Sequence, residues 1–143
     1  MTQNVTSGFA PRGSQGAIEQ GGVFQPKFGA DGLIPAIVTD KVTGDVLMFA
    51  HMNSEALRLT IDTGVAHFWS RSRGKLWRKG EDSGNVLTVS EIRTDCDQDV
   101  VLIVANIGGA GVACHTGERS CFYRRLMAGA GDHLEHVAPP KAR

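Results

Sequence analysis

The chain has no excess of either charge: 15 Lys and Arg balance 15 Asp and Glu over 143 residues. A formally neutral protein offers no electrostatic case for general nucleic-acid or membrane-surface binding, so a small-molecule partner is expected. No apolar run approaches the roughly 20 residues that cross a bilayer. Residues 1–20 also lack the continuous apolar core of a signal peptide. Cysteine is scarce, and its count of three cannot pair completely within one chain. These absences predict a reducing, cytoplasmic setting. The length suits one domain able to bury a modest core, and no second domain is expected after it.

What is present is concentrated. Every cysteine lies in one stretch, where Asp95-Cys96-Asp97-Gln98-Asp99 is followed by an apolar run, a glycine-rich bend and Cys114-His115-Thr116-Gly117-Glu118-Arg119-Ser120-Cys121. The residues flanking the first motif are apolar and β-branched. Side chains alternate faces on a strand, so an extended 95–99 places the three aspartates on one face and Cys96 on the other. Carboxylates offer hard oxygen to a cation such as Mg²⁺, whereas the sulfurs of Cys96, Cys114 and Cys121 suit Zn²⁺. Three thiolates leave one position open on a tetrahedral zinc, as in catalytic sites, where bound water ionises near pH 7 or so. Taken singly, each feature has a plainer reading. A free cysteine is often a small buried hydrophobe, an Asp-x-Asp-x-Asp run is often a solvated turn, and Cys-x₆-Cys is not a common zinc-finger spacing.

Along the rest of the chain, residues 1–27 read as a flexible N-terminal extension rich in Gly, Gln, Ser and Thr. Strands at 35–40 and 45–50 flank Lys41-Val42-Thr43-Gly44 as a hairpin. A helix capped by Asn53 or Ser54 and closed by Gly64 is the clearest in the chain. A strand at 65–70 enters Arg71-Ser72-Arg73-Gly74-Lys75-Leu76-Trp77-Arg78-Lys79, with five cations in nine residues. That segment is either a solvated hairpin tip or a phosphate-binding surface. Trp77 either stacks on a purine or packs into the core. Residues 85–94 form a long strand whose alternation slips before Ile92, which predicts a bulge. Residues 100–104 read as a strand covered on both faces, the Gly108 to Gly111 run as a turn, and 120–126 as a final strand or short helix. The fold expected is α+β and mostly β: a compact single domain with a strongly bent sheet and one main helix.

Asp-Cys-Asp-x-Asp followed by Cys-His-Thr-Gly-x-x-Ser-Cys-Phe closely resembles the phosphoribosyl-AMP cyclohydrolase family of histidine biosynthesis. Gly32-Leu33-Ile34-Pro35-Ala36-Ile37-Val38, Met52-Asn53, Trp69-Ser70-Arg71-Ser72-Arg73 and Trp77-Arg78-Lys79-Gly80-Glu81-Asp82-Ser83-Gly84 carry the same likeness. It runs from about Phe28 to Leu126, giving an expected cyclohydrolase domain at 28–128, a tail at 129–143 and a stand-alone form. The resemblance implies a zinc- and magnesium-dependent hydrolase acting on the C6–N1 bond of the adenine ring of 1-(5-phosphoribosyl)-AMP. The product implied is the phosphoribosyl-formimino-AICAR ribotide.

The same resemblance implies zinc on Cys96, Cys114 and Cys121 and Mg²⁺ on Asp95, Asp97 and Asp99. It also implies a homodimer in which Cys96 of one chain meets Cys114 and Cys121 of the other. His115 is the candidate for proton transfer, with a structural histidine as the alternative. Ser70, Arg71, Ser72, Arg73, Trp77, Lys79, Glu81 and Ser83 are the candidate substrate contacts. Glu81 would hold a ribose hydroxyl or move a proton. His51 and Glu118 depart from the family pattern: His51 adds a stray potential metal ligand, and Glu118 would weaken a phosphate contact. Two other readings compete. One is a zinc-stapled binding module, with His115 completing a closed ligand set. The other is a zinc nucleoside deaminase, for which His133-Leu134-Glu135 matches only half the pattern.

Overall fold

Alternating apolar residues set the strands, and the most deeply buried of them form one continuous core. The computed structural model describes residues 8–129 and 131–137. In order these contain α1 (Gln15–Gln20), β1 (Ile34–Asp40), β2 (Val46–Met52), α2 (Ser54–Thr63), β3 (His67–Ser70), β4 (Lys75–Arg78), β5 (Leu87–Thr94), β6 (Val101–Ile107), β7 (Arg124–Arg125) and β8 (Glu135–His136). The first six strands make one curled, half-barrel sheet of order β4-β3-β2-β1-β6-β5, and β7 with β8 makes a separate two-stranded ladder. Only β1 and β6 run parallel; the other pairs are antiparallel. The fold is mostly β, as expected, with α2 the main helix. Among the described residues no helix is long and apolar enough to cross a membrane.

Ile34, Ala36 and Val38 of β1, Leu47 and Met52 of β2, and Val101, Ile103 and Ala105 of β6 meet in the core. In β6 this leaves Leu102 and Val104 half-buried, so the strand is fully covered on one face rather than both. α2 closes the core with Ala56, Leu57 and Thr60. Its ends follow the expected chemistry. The Asn53 side chain accepts from the Ala56 N–H, and Gly64 takes the left-handed φ of 74° that ends the helix. The expected bulge in β5 falls between Val89 and Glu91, where the register against β6 shifts.

The chain termini differ from expectation. Residues 8–27, read as a flexible extension, contain α1 and pack on the domain. Phe9 lies 5.6 Å from Phe24 and 6.1 Å from Phe28, with the Arg58 guanidinium 4.3 Å over its ring. Scattered apolar residues in a polar segment suffice because the core offers them a surface. Residues 1–7 of that extension lie outside the described residues. The expected last element at 120–126 shrinks to the two residues of β7, whose partner β8 comes from the expected tail. Residues 130 and 138–143 of that tail are also outside the described residues.

Candidate active site

The first functional loop joins β5 to β6. Residues 95–99 are a tight turn, so strand alternation is not what gathers the aspartates. The Asp95 carboxylate accepts from the backbone N–H of Asp99 at 3.0 Å and of Val100 at 3.3 Å, which folds the chain back on itself. One carboxylate oxygen from each of Asp95, Asp97 and Asp99 then lies within 4.8 Å of the others. The crowding redistributes protons. The hydrogen bond with Asp95, with burial and Asp97 behind it, pushes the Asp99 carboxyl up to about 6. Burial raises Asp95, but hydrogen bonds from Asp99, Asp97 and two backbone N–H groups outweigh it and hold Asp95 below its ordinary value. A proton retained among three hard oxygens marks a donor set that fits a divalent cation.

The second loop starts at the glycine-rich bend. Gly109 has φ of 61°, and a side chain there would meet the Asn85 carboxamide oxygen at 2.5 Å, so only glycine fits. That oxygen accepts from the Ala110 N–H at 2.8 Å and steers the chain toward Cys114. The loop then closes through Ala113 N–H to Arg119 C=O at 3.0 Å and Cys114 N–H to Glu118 C=O at 3.1 Å. Closure brings Cys114 and Cys121 into hydrogen-bond contact.

Two anchors tie this loop to the sheet. Arg119 donates to Asp40 at 2.7 Å, Asp45 at 2.9 Å and Thr43 at 2.8 Å, while the Ser120 hydroxyl donates to the Val46 carbonyl at 2.7 Å. Lys79 donates to the Ala113 carbonyl at 2.6 Å from the other side.

The thiols diverge electrostatically. Burial raises Cys114, yet hydrogen bonds from the Thr116 hydroxyl at 3.0 Å and backbone N–H, from Cys121, and the charge of Lys79 together hold it below its ordinary value. Cys121 is pushed up to about 11 by desolvation and by the neighbouring Cys114 charge. Two thiols competing for one charge fit a soft dication, which stabilises both as thiolates. Cys96 is exposed in the first loop and does not join them: among the described residues the aspartates are the one cluster of three potential ligands within a single chain. His115, next to Cys114, is exposed.

The basic segment divides. Ser70, Arg71, Ser72, Arg73 and Trp77 line a cavity of about 580 Å³, walled on the other side by Phe49, His51 and Trp69. Ser70 accepts from the Arg73 N–H at 3.2 Å and from its guanidinium at 3.4 Å, which shapes the loop. Trp77 packs against the core as one expectation had it, 5.2 Å from the buried Phe68, and also lines the cavity. Lys79 points instead to the cysteine loop. Glu81 and Ser83 cap the next turn, accepting from the Arg78 and Asn85 N–H groups, and are not part of the cavity wall.

His51 packs edge-on to Phe49 at 5.2 Å in that wall, its pKa lowered by burial and the Arg71 charge against a smaller opposite pull from Asp31. Glu118 meets His136 at 3.0 Å, and Glu135, from the deaminase-like triplet, pairs with Arg125 at 3.1 Å. Sequence reading places Gln98, Thr116 and Arg119 inside the two motifs but gives none of them a role. Only their position inside the motifs could have drawn attention to them.

The sequence profile of phosphoribosyl-AMP cyclohydrolase matches residues 48–123, which span β2 through the cysteine loop. A protein of that name from Brucella anthropi is 61% identical over 116 residues, covering 81% of this chain and 82% of the relative. One from Brucella canis is 58% identical over 115 residues, 80% of this chain and 83% of its own. One from a Chelativorans species is 55% identical over 121 residues, 85% and 87% of the two chains. With both loops and the basic cavity falling largely inside the matched region, the chain belongs to the phosphoribosyl-AMP cyclohydrolase family.

Proposed function

We propose that this protein hydrolyses 1-(5-phosphoribosyl)-AMP, opening its adenine ring in the cytoplasmic synthesis of histidine. The observation that carries the reading is the pairing of Cys114 with Cys121 under the Lys79 charge, in the segment matched to the family. Cys114 and Cys121, joined by Cys96 of a second copy in a homodimer, would hold Zn²⁺, and Asp95, Asp97 and Asp99 would hold Mg²⁺. When bound, zinc supplies a water ionised near neutrality and magnesium neutralises phosphate charge.

The chain's own residues do the rest. N1 carries the second phosphoribosyl group, which leaves the ring cationic and C6 electron-poor. Water adds through its oxygen to C6, the C6–N1 bond breaks with its electron pair passing to N1, and C6 keeps its amino group as a carboxamide. His115, exposed beside Cys114, takes the proton released by the attacking water and can return one to the opened product. Arg71 and Arg73, with the hydroxyls of Ser70 and Ser72, offer forked donors to a phosphate in the cavity. The exposed face of Trp77 offers a stacking surface for a base. Lys79 keeps the charge balance at Cys114 rather than gripping substrate.

The test is hydrolysis of phosphoribosyl-AMP followed by ultraviolet absorbance, on protein stripped of metal and then resupplied with Zn²⁺ and Mg²⁺. Ring opening that disappears on stripping and returns with metal is the expected result. No turnover by folded, zinc-loaded protein overturns the reading.

A further inference from the structure

A left-handed backbone at a residue other than glycine is costly and persists where the surroundings over-determine it. Among the described residues Gln98 is the one such case, with φ of 57°. It sits between Asp97 and Asp99, and it is buried to 4% exposure although its neighbours in the turn are far more open. The surroundings that hold it come from the N-terminal segment.

The Gln98 carboxamide oxygen accepts from the Gln25 N–H at 2.6 Å, and its amide nitrogen donates to the Ile18 carbonyl at 2.9 Å. Its backbone carbonyl accepts from the Lys27 N–H at 2.7 Å. One residue earlier, the Asp97 carbonyl accepts from the Arg12 guanidinium at 2.7 Å, and the same nitrogen donates to the Gln25 carbonyl at 3.0 Å. The Gln25 side chain is fixed in turn by the Gly13 N–H at 2.6 Å. Phe9, Phe24 and the buried Pro26 seat the segment on the domain. Apolar packing thus holds the segment down, while its polar groups converge on two consecutive residues of the aspartate turn.

We infer that residues 12–27 are a positioning strap for the carboxylate cluster, with Gln98 and Arg12 as its positioning residues. The inference rests on the reading of Asp95, Asp97 and Asp99 as a divalent-cation site. Three carboxylates brought together repel one another, and a turn free to relax would spread them. Fixing the backbone at Asp97 and Gln98 prepays the ordering that cation binding would otherwise require.

The test is Mn²⁺ binding to the full-length, zinc-loaded protein, read by electron paramagnetic resonance, in the parent and in Gln98→Gly, Arg12→Ala and Arg12→Lys. Glycine keeps the left-handed turn without steric cost but removes both side-chain hydrogen bonds. Gln98→Gly is expected to weaken Mn²⁺ binding roughly 10- to 100-fold, the range for residues that orient metal ligands. Arg12→Ala weakens it less, and Arg12→Lys restores part of the loss because an ammonium can still donate to the Asp97 carbonyl. Should Gln98→Gly fail to fold, Arg12→Ala carries the test, since its bond to Asp97 lies at the exposed surface. Folded variants that melt at lower temperature yet bind Mn²⁺ as the parent does would overturn the strap and leave the cation site standing. A parent that gives no bound-Mn²⁺ spectrum would overturn both.

Discussion

The aspartate turn and the cysteine loop solve opposite problems. The turn gathers three potential ligands within one chain, a carboxylate oxygen of each lying within 4.8 Å of the others, at the cost of like charges packed together. The loop brings only Cys114 and Cys121 together, surrounds them with Thr116 and Lys79 as compensating partners, and leaves Cys96 in the other loop. Hard ligands at alternate positions can be gathered by one local turn. Thiols 18 residues apart, as Cys96 and Cys114 are, need tertiary or quaternary structure to meet, and within this chain Cys96 does not join the other two. The difference teaches that, on the proposed reading, the two metal sites would depend on different levels of organisation: the carboxylate site on a loop, the thiolate site on an assembly.

The sharpest way to break this comparison is at the cysteine pair. Cys114→Ser is expected to lose bound zinc and to lower turnover on the order of 10³-fold or more, the scale of losing a metal-activated water. Zinc content by atomic absorption, with turnover in the same sample, checks it; full zinc occupancy in the variant would show that Cys114 is no ligand. The next largest effect is a recovery. Cys96→Ser and Cys114→Ser chains, each inactive alone, should regain roughly half the parent turnover per dimer when combined in verified heterodimers, because one of two shared sites is intact. Heterodimers as inactive as either parent variant would mean that the zinc set is completed some other way.

How far the two loops were legible follows from the distance over which their contacts act. The Asn53 and Gly64 caps of α2, the β1–β2 hairpin and the β5 bulge all depend on residues a few positions apart, and the chain announces each of them. The turn at 95–99 does not, because Gln98 is held by Ile18 and Gln25, 80 and 73 residues away. Extended alternation was the right inference from the apolar neighbours and the wrong geometry for the motif. Lys79 sits in a run of cations that reads as one phosphate surface, yet Ala113, 34 residues on, draws it to the cysteine loop. Arg119 looked like an unremarked member of a motif until Asp40, 79 residues back, gave it a partner. Ser70, Arg71, Ser72, Arg73 and Trp77 do share one cavity, because a hairpin tip keeps near neighbours together.

Arg119 also separates the loops energetically. Its side chain is 9% exposed and that of Asp40 16%, so Arg119→Ala leaves a largely buried carboxylate without its charged donor. About 2–3 kcal/mol of stability should be lost, the scale of charge-assisted hydrogen bonds, since the more open Asp45 can rehydrate. Urea denaturation measures it. Mn²⁺ binding at the aspartate turn should be unchanged in the same variant, and parallel loss of both would show that the two loops are one cooperative unit.

The smallest effect belongs to the aspartate turn and is a matter of pH. Asp99 titrates at about 6 in the folded chain against an ordinary 3.8, so the folded state holds its proton more tightly than the unfolded state. The stabilisation is fully present below the ordinary value and is lost as pH rises through 6. Asp95 has the opposite sign, but its folded value lies below 3.8, so its stabilisation is lost only as pH falls beneath that window. Between the two pH values Asp99 acts without opposition from Asp95. Metal-free Asp99→Asn, which cannot ionise, should therefore gain stability relative to the parent as pH climbs from about 4 to about 7. Thermal melting of the two proteins across that range reads the difference, and background titrations shared by both cancel. Mg²⁺ at pH 7 should raise the parent's melting temperature and leave the variant's nearly unmoved, because a cation removes the repulsion that the amide has already removed. Parallel pH profiles for parent and variant would mean that the three carboxylates do not share a proton, and the contrast between a crowded turn and a compensated loop would fail.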